Sequence, residues 1–257
     1  MNISLAPEII FYIGGFGVTN TLFWSFFISL FLVLITFILR VSIKTIPGRF
    51  QNFIEVLLEG SLDFINNITG DKKKTKILFP LIVTLFVFIL TANLFTFIPG
   101  QAALTINKGE GGVPLFRAVM SDYGMVFVLT CISVIIIQIV SIIAVGPFGY
   151  LTKFINFKKI FKARSISDFL YGLLDVFLGI MDFIGELAKV LSLSFRLFGN
   201  MFAGEVLTAV MLFLMPFIAP LPFMFLGLIT AVIQAFVFSV LTLVFISMAS
   251  EMKLEES

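Results

Sequence analysis

The chain is predicted to be an all-α integral membrane protein, one bundle of five to six helices, on three observations. Of its 257 residues 60% are hydrophobic and 12% charged, too little polar surface to cover a soluble core. Its apolar residues come in runs of about twenty, the length that spans a ~30 Å hydrocarbon core at ~1.5 Å per residue. Its basic residues gather at the ends of those runs and in the loops between them.

Taken in order, a first span covers about 20–41 and is closed by Arg40, Lys44 and Arg49. After Pro47 and Gly48, the stretch at about 50–69 repeats apolar residues at three and four, with Glu55, Glu59 and Asp63 on another face. That pattern predicts an amphipathic helix lying at the membrane interface. Asp71-Lys72-Lys73-Lys74-Thr75-Lys76 leads into a second span at about 77–98, which Pro99-Gly100 ends, and the glycine-rich segment 99–122 reads as an irregular loop. A third span at about 123–145 stops at Gly146-Pro147, and a basic loop with Lys153, Lys158, Lys159, Lys162 and Arg164 follows. The segment 168–215 reads as helix with no internal proline. At ~72 Å such a helix exceeds the bilayer thickness, so it must be tilted, broken or partly interfacial. Pro216, Pro220 and Pro222 turn the chain into a last apolar stretch at about 223–249, completing a long tilted hairpin. The whole of 1–257 reads as a single membrane domain, without an internal repeat.

Thirteen of the seventeen Lys and Arg residues (Arg40, Lys44, Arg49, Lys72, Lys73, Lys74, Lys76, Lys153, Lys158, Lys159, Lys162, Arg164 and Lys253) fall on one side of this arrangement. Lys108 and Arg117 fall on the other. The positive-inside rule then sets the C-terminus and the basic loops in the cytoplasm and the N-terminus and the 99–122 loop outside. The N-terminal segment lacks the basic, apolar and small-residue pattern of a removable signal peptide. A net charge of +2 gives no basic footprint for nucleic acid. With no histidine and a single cysteine, Cys131, histidine-based acid–base catalysis, zinc-hydrolase motifs and disulfide frameworks are all absent. Gly14-Gly15 and Gly111-Gly112 lack the phosphate-loop pattern. No cofactor or metal is expected.

One residue departs from the charge pattern. Arg196 sits inside Leu191-Ser192-Leu193-Ser194-Phe195-Arg196-Leu197-Phe198-Gly199-Asn200. A charge at bilayer depth costs between ~2.5 and ~15 kcal/mol, so such a residue is a functional candidate by default. Asp168, Asp175, Asp182, Lys189 and Arg196 recur every seven residues and form one stripe along the helix, drifting by about 20° per step. Asp182, Glu186 and Lys189 are spaced to neutralise one another, and a solvated or salt-bridged face explains Asp168 and Asp175 equally well. Arg196 has Ser192 and Asn200 four residues either side, which offer hydrogen bonds without countercharge, and Glu205 points to the opposite side. No carboxylate stands mid-span in the first, second, third or last helix. A guanidinium stays protonated, so its partner is expected on another subunit. Gly199, Ala203 and Gly204 flatten the adjoining surface, either for a neighbouring helix or as packing glycines within the chain. Gln234 is the main polar side chain at depth in the last span, Asp122 opens the third span where an N-cap would stand, and Asn93 lies in the second.

The run from Ser192 to Glu205 closely resembles the signature of subunit a of the F-type ATP synthase. The resemblance covers nearly the whole chain: Phe11-Tyr12-Ile13-Gly14-Gly15-Phe16, Pro47 with Gln51-Asn52 and Glu55, Asn93-Leu94 with Pro99, Asp122, Gln234-Ala235-Phe236-Val237-Phe238, and Ser247-Met248-Ala249-Ser250-Glu251 all look like that family. It implies a stationary proton-channel subunit with two offset half-channels that reach the carboxylates of a rotating c-subunit ring and are separated by the essential Arg196. It also implies b-type peripheral-stalk partners and no ATP site in this chain. By position, Asn200, Glu205 and Gln234 match the outer path or the arginine's surroundings, Asp182 matches an acidic position near the inner exit, and Ser192 and Asp122 join the proton path. Two positions depart from the family's pattern. Val190 replaces the usual proline after the lysine, which questions the local bend. Gly227 stands where an ionisable residue is common, which leaves Glu205 as the titrating group of the outer path.

The rivals are a self-contained ion channel or secondary transporter, in which Arg196 would bind an anion, and a membrane enzyme. The first needs an internal carboxylate pair or broken helices, and the second a nucleophile and base; neither is visible. The family occurs in bacterial, thylakoid and mitochondrial membranes, and a bacterial inner membrane fits this chain best, with thylakoid as the alternative.

Overall fold

The chain enters through a small antiparallel hairpin, β1 (Ile9–Ile13) and β2 (Phe16–Thr19). Gly14 and Gly15 turn it at φ 57° and 90°, the left-handed pair that a two-residue hairpin demands. The structure is a computed structural model that describes residues 7–97, 105–108, 111–114, 117–146, 166–216 and 218–251. Pro99, Gly100, the basic residues from Lys153 to Arg164, and Lys253 lie outside them.

Thr19 caps α1 (Asn20–Ser42) by accepting the Leu22 N–H at 3.3 Å. The bend into α2 (Arg49–Thr69) is fastened by one amide. Gln51 Oε1 accepts from the Lys44 N–H, and its Nε2 donates to the Lys44 carbonyl and to Glu55 Oε1. Gly70 ends α2 in the left-handed region at φ 65°, its N–H bonded to the Asn66 carbonyl. Asp71 at once caps α3 (Lys72–Phe95), accepting the Lys73 N–H at 2.8 Å. The lysine cluster is therefore the first turn of the helix rather than a lead-in to it. Pro80 lies inside α3 and leaves the Lys76 carbonyl without its helical donor, while one turn on Thr84 Oγ1 donates to the Pro80 carbonyl.

Where an irregular loop was predicted, Thr105–Lys108 and Gly111–Pro114 pair as a second antiparallel hairpin, β3 and β4, and a 3-10 turn at Val119–Ser121 precedes α4 (Tyr123–Val145). The long segment forms one unbroken helix, α5 (Ile166–Leu214), of 49 residues. At 1.5 Å per residue that is ~73 Å, and it continues through Val190. The final helix, α6 (Pro220–Glu251), starts earlier than the prolines suggested. Pro220 and Pro222 sit in its first turn, where a missing N–H has no intrahelical partner to lose.

Among the described residues five helices are long and apolar enough to cross a membrane: α1, α3, α4, most of α5 and α6. The chain is a multi-pass, mostly helical membrane protein, with two short hairpins among the described residues. α6 runs through its centre, packed against α3, α4 and α5. One buried cluster joins Ile28, Ile89, Val126, Leu197, Ala235 and Phe238, and a second joins Ile65, Ile82, Ile137, Leu243 and Ile246. Outside these, large apolar side chains are bare, Phe26 at 68% and Phe37 at 65% exposure among them. In water such a surface would aggregate, but lipid tails match it, so helix association rests on close packing and hydrogen bonds instead.

Candidate functional site

Leu193, Ser194, Leu197 and Met201 recur at helical spacing on α5 and are buried. The three apolar members share a cluster with Ala231, Ala235 and Phe238 of α6. Seating that face turns Ser192, Arg196, Gly199 and Ala203 to the exposed side. Tyr123, at the start of α4, lies 5.3 Å from the Phe195 ring and 5.6 Å from the Phe198 ring, bracketing the turn that carries Arg196. Among the described residues Arg196 makes no hydrogen bond or ion pair. A Cβ added at Gly199 or Gly204 would meet nothing within 4 Å. Among the described residues nothing fills the space beside these glycines, and the strip beside Arg196 is open.

The hairpin register places Gln234. Lys189 Nζ stands 5.0 Å from the Phe245 ring centroid, so residues 189 and 245 are level. Eleven residues nearer the turn on each helix, Asn200 is level with Gln234, about one helical turn from Arg196. Gln234 is 7% exposed, and its Nε2 is buried without a hydrogen-bond partner. The same is true of Glu205 Oε2 and Asn93 Oδ1, although Asn93 Nδ2 donates to the Ala231 carbonyl at 3.2 Å. Buried polar atoms left in this state are where water binds, and each is costly without it.

Asp122 caps α4, its Oδ1 accepting the Gly124 N–H at 2.9 Å. Its Oδ2 accepts from Thr21 Oγ1 at 2.6 Å, fastening the start of α1 to the start of α4. Asp182 and Ser192 are exposed on α5, and Asn200 is half-buried. Of the trio spaced to neutralise itself, Glu186 and Lys189 form an ion pair at 2.9 Å, while Asp182 makes none among the described residues. At Gly227 an added Cβ would come to 3.0 Å from the outer edge of the Phe97 ring. Among the described residues no group of three His, Cys, Asp or Glu side chains is placed to hold a metal ion.

Sequence reasoning passed over two partners. Gln138 of α4 donates to Glu186 Oε2 at 2.8 Å. It carried the same signal as Gln234, an amide inside an apolar span. Thr21 carried no such signal, because a hydroxyl in a membrane helix usually bonds its own backbone.

These features define a class: a multi-pass helical membrane protein that presents an arginine, without a countercharge among the described residues, sideways from a long helix, in a bundle that also holds unsatisfied buried polar atoms. Residues 22–247 match the family model of the ATP synthase A chain. The chain is 31% identical over 241 residues to the ATP synthase subunit a of Moorella thermoacetica, covering 94% of this chain and 95% of that one. It is 34% identical over 211 residues to the subunit a of Syntrophobacter fumaroxidans, covering 82% and 75%. With the ATP synthase subunit a 2 of a Picosynechococcus strain it shares 32% over 256 residues, covering 96% and 93%. The chain belongs to the ATP synthase subunit a family.

Proposed function

We propose that this chain is the stationary half of a rotary proton channel, and that Arg196 separates two half-channels which both open onto carboxylates of a c-subunit ring. The observation that carries this reading is the open strip around Arg196, where a permanent cation has no countercharge among the described residues. Within a membrane that charge needs an anionic partner, and the lateral exposure of the strip suits a helix brought alongside by another subunit. Membership of the family implies assembly with the other subunits of the synthase, the ring and a b-type peripheral stalk in this reading. The single membrane domain lies in a bacterial inner membrane, with α2 at the interface and the C-terminus in the cytoplasm by the positive-inside rule.

The proton's outer path runs past Glu205, Gln234 and Asn200, and the unsatisfied atoms of the first two suit a file of water. Asp122 fastens the rim of that path, and Ser192 and Asp182 line the exposed inner side of α5. A proton delivered from outside neutralises a ring carboxylate and lets it turn into lipid. When the carboxylate returns beside Arg196, the fixed positive charge lowers its pKa and favours release to the inner side. The same charge repels protons that would hop straight between the half-channels. Each proton crossing ~100 mV supplies ~2.3 kcal/mol, so several drive one ATP.

The test is dye-monitored proton movement in inverted membrane vesicles carrying Arg196→Ala, driven once by ATP and once by an imposed gradient. Loss of ATP-driven pumping with a raised passive leak is the expected result. Normal pumping in that variant would remove the basis of the reading.

A further inference from the structure

A second polar group lies on the same helix and takes no part in the path above. Glu186 accepts with both oxygens: Oε1 from Lys189 Nζ at 2.9 Å and Oε2 from Gln138 Nε2 at 2.8 Å. The Lys189 ammonium also lies 5.0 Å from the Phe245 ring centroid, within range of a cation–π attraction. The group thus joins α4 through Gln138, α5 through Glu186 and Lys189, and α6 through Phe245. Each partner is next in sequence to a residue of the second apolar cluster: Gln138 to Ile137, Lys189 to Val190, Phe245 to Ile246. The Glu186 side chain keeps 14% of its exposure and that of Lys189 31%.

A polar group in a seam between membrane helices does one of two things. Where its hydrogen-bonding capacity is unmet it draws water and opens a path, as the bare atoms of Glu205 and Gln234 do in the reading above. Where its charges cancel and its oxygens are occupied it ties the helices together and leaves water nothing to bind. Glu186 is of the second kind, and Ile137, Val190 and Ile246 set apolar surface beside each partner, while the unpartnered Ser141 Oγ lies one turn further along α4.

We infer that Glu186, Lys189 and Gln138 form a neutral clasp that seals the seam between α4, α5 and α6, so that ions passing Arg196 on that side are confined to the exposed face of α5 that carries Asp182. Glu186 is then a positioning residue rather than a proton stepping-stone, even though it lies within four residues of Asp182. The inference rests on the channel reading, and its test separates the two.

In the assembled complex in inverted vesicles, Glu186→Leu leaves the Lys189 cation unpaired and is expected to raise the passive proton leak about tenfold. Adding Lys189→Met removes the stranded charge. The double variant is expected to return the leak to within about twofold of the unaltered complex and to pump with ATP. A double variant that assembles but no longer pumps would make Glu186 a relay and overturn the clasp, as would a Glu186→Leu leak equal to that of the unaltered complex. Should Glu186→Leu fail to assemble, Gln138→Leu keeps the ion pair, removes one bond and is expected to raise the leak about twofold. An unchanged leak there also overturns the clasp. Arg196→Ala in the same assay tests the channel reading independently: normal pumping there refutes that reading whatever the clasp variants do.

Discussion

Lys189 and Arg196 stand seven residues apart on α5, rotated by about 20° around its axis, yet their surroundings are opposite. Lys189 is paired with Glu186 at 2.9 Å and rests against the Phe245 ring. Arg196 has no such partner among the described residues and looks out over a strip where Gly199 and Gly204 leave open space. One turn is complete within the chain and the other is not. A charge satisfied at home contributes to the bundle, whereas a charge left bare on a packed, rigid helix is held ready for something that arrives from outside.

The comparison is tested most severely at the open turn. Arg196→Lys keeps a positive group but loses the planar fork and a charge that survives desolvation. ATP-driven pumping is expected to fall ~100-fold, on the scale of removing one preorganised electrostatic group. A pumping rate near that of the unaltered complex would show that any cation serves. Glu205→Gln removes the carboxyl group proposed for the outer path and is expected to slow pumping ~10-fold, the low end for a lost acid–base group, across a pH series. Gly199→Leu meets empty space in the isolated chain, so the chain should insert normally while its yield in the assembled complex drops about fivefold through lost helix approach. Normal assembly would mean that the strip is lipid-facing. At the closed end of the scale, Thr21→Val strands one oxygen of buried Asp122 and should lower stability by ~1–2 kcal/mol, read as an earlier thermal transition with coupling retained. Gly227→Ala should matter least, because the Phe97 ring at 3.0 Å is the far end of a side chain that can move.

Periodicity alone put Arg196 and Lys189 on one stripe, and local spacing alone put Glu186 within reach of Lys189. Helix existence was legible for the same reason: long apolar runs leave few alternatives in a membrane. What was missed depends on distant partners or on helix ends. The Thr21 bond to Asp122 joins residues 101 positions apart, and Gln138 was visible as an amide without its target. Pro220 and Pro222 read as a turn but open α6, since a proline marks a boundary without saying on which side of it the helix lies. The β3–β4 hairpin was overlooked because four-residue strands beside Gly111-Gly112 show too little alternation to stand out from a loop. Burial could not be read either: Glu205 and Gln234 looked like candidates by position, and the stranded atoms of each emerge only from the packing around them.

The central claim, that the Arg196 strip is occupied by another subunit, is tested most directly by cross-linking. In a Cys131→Ser background, which removes the native thiol, Ala203→Cys places a single thiol on the exposed face near Arg196, and Phe177→Cys serves as an exposed control on the same helix. With a short thiol-to-carboxyl or photoactivated linker in native membranes, the account predicts an adduct between Ala203→Cys and a c-type ring subunit at high yield, with far less from Phe177→Cys. Adducts to lipid alone from both positions would contradict it.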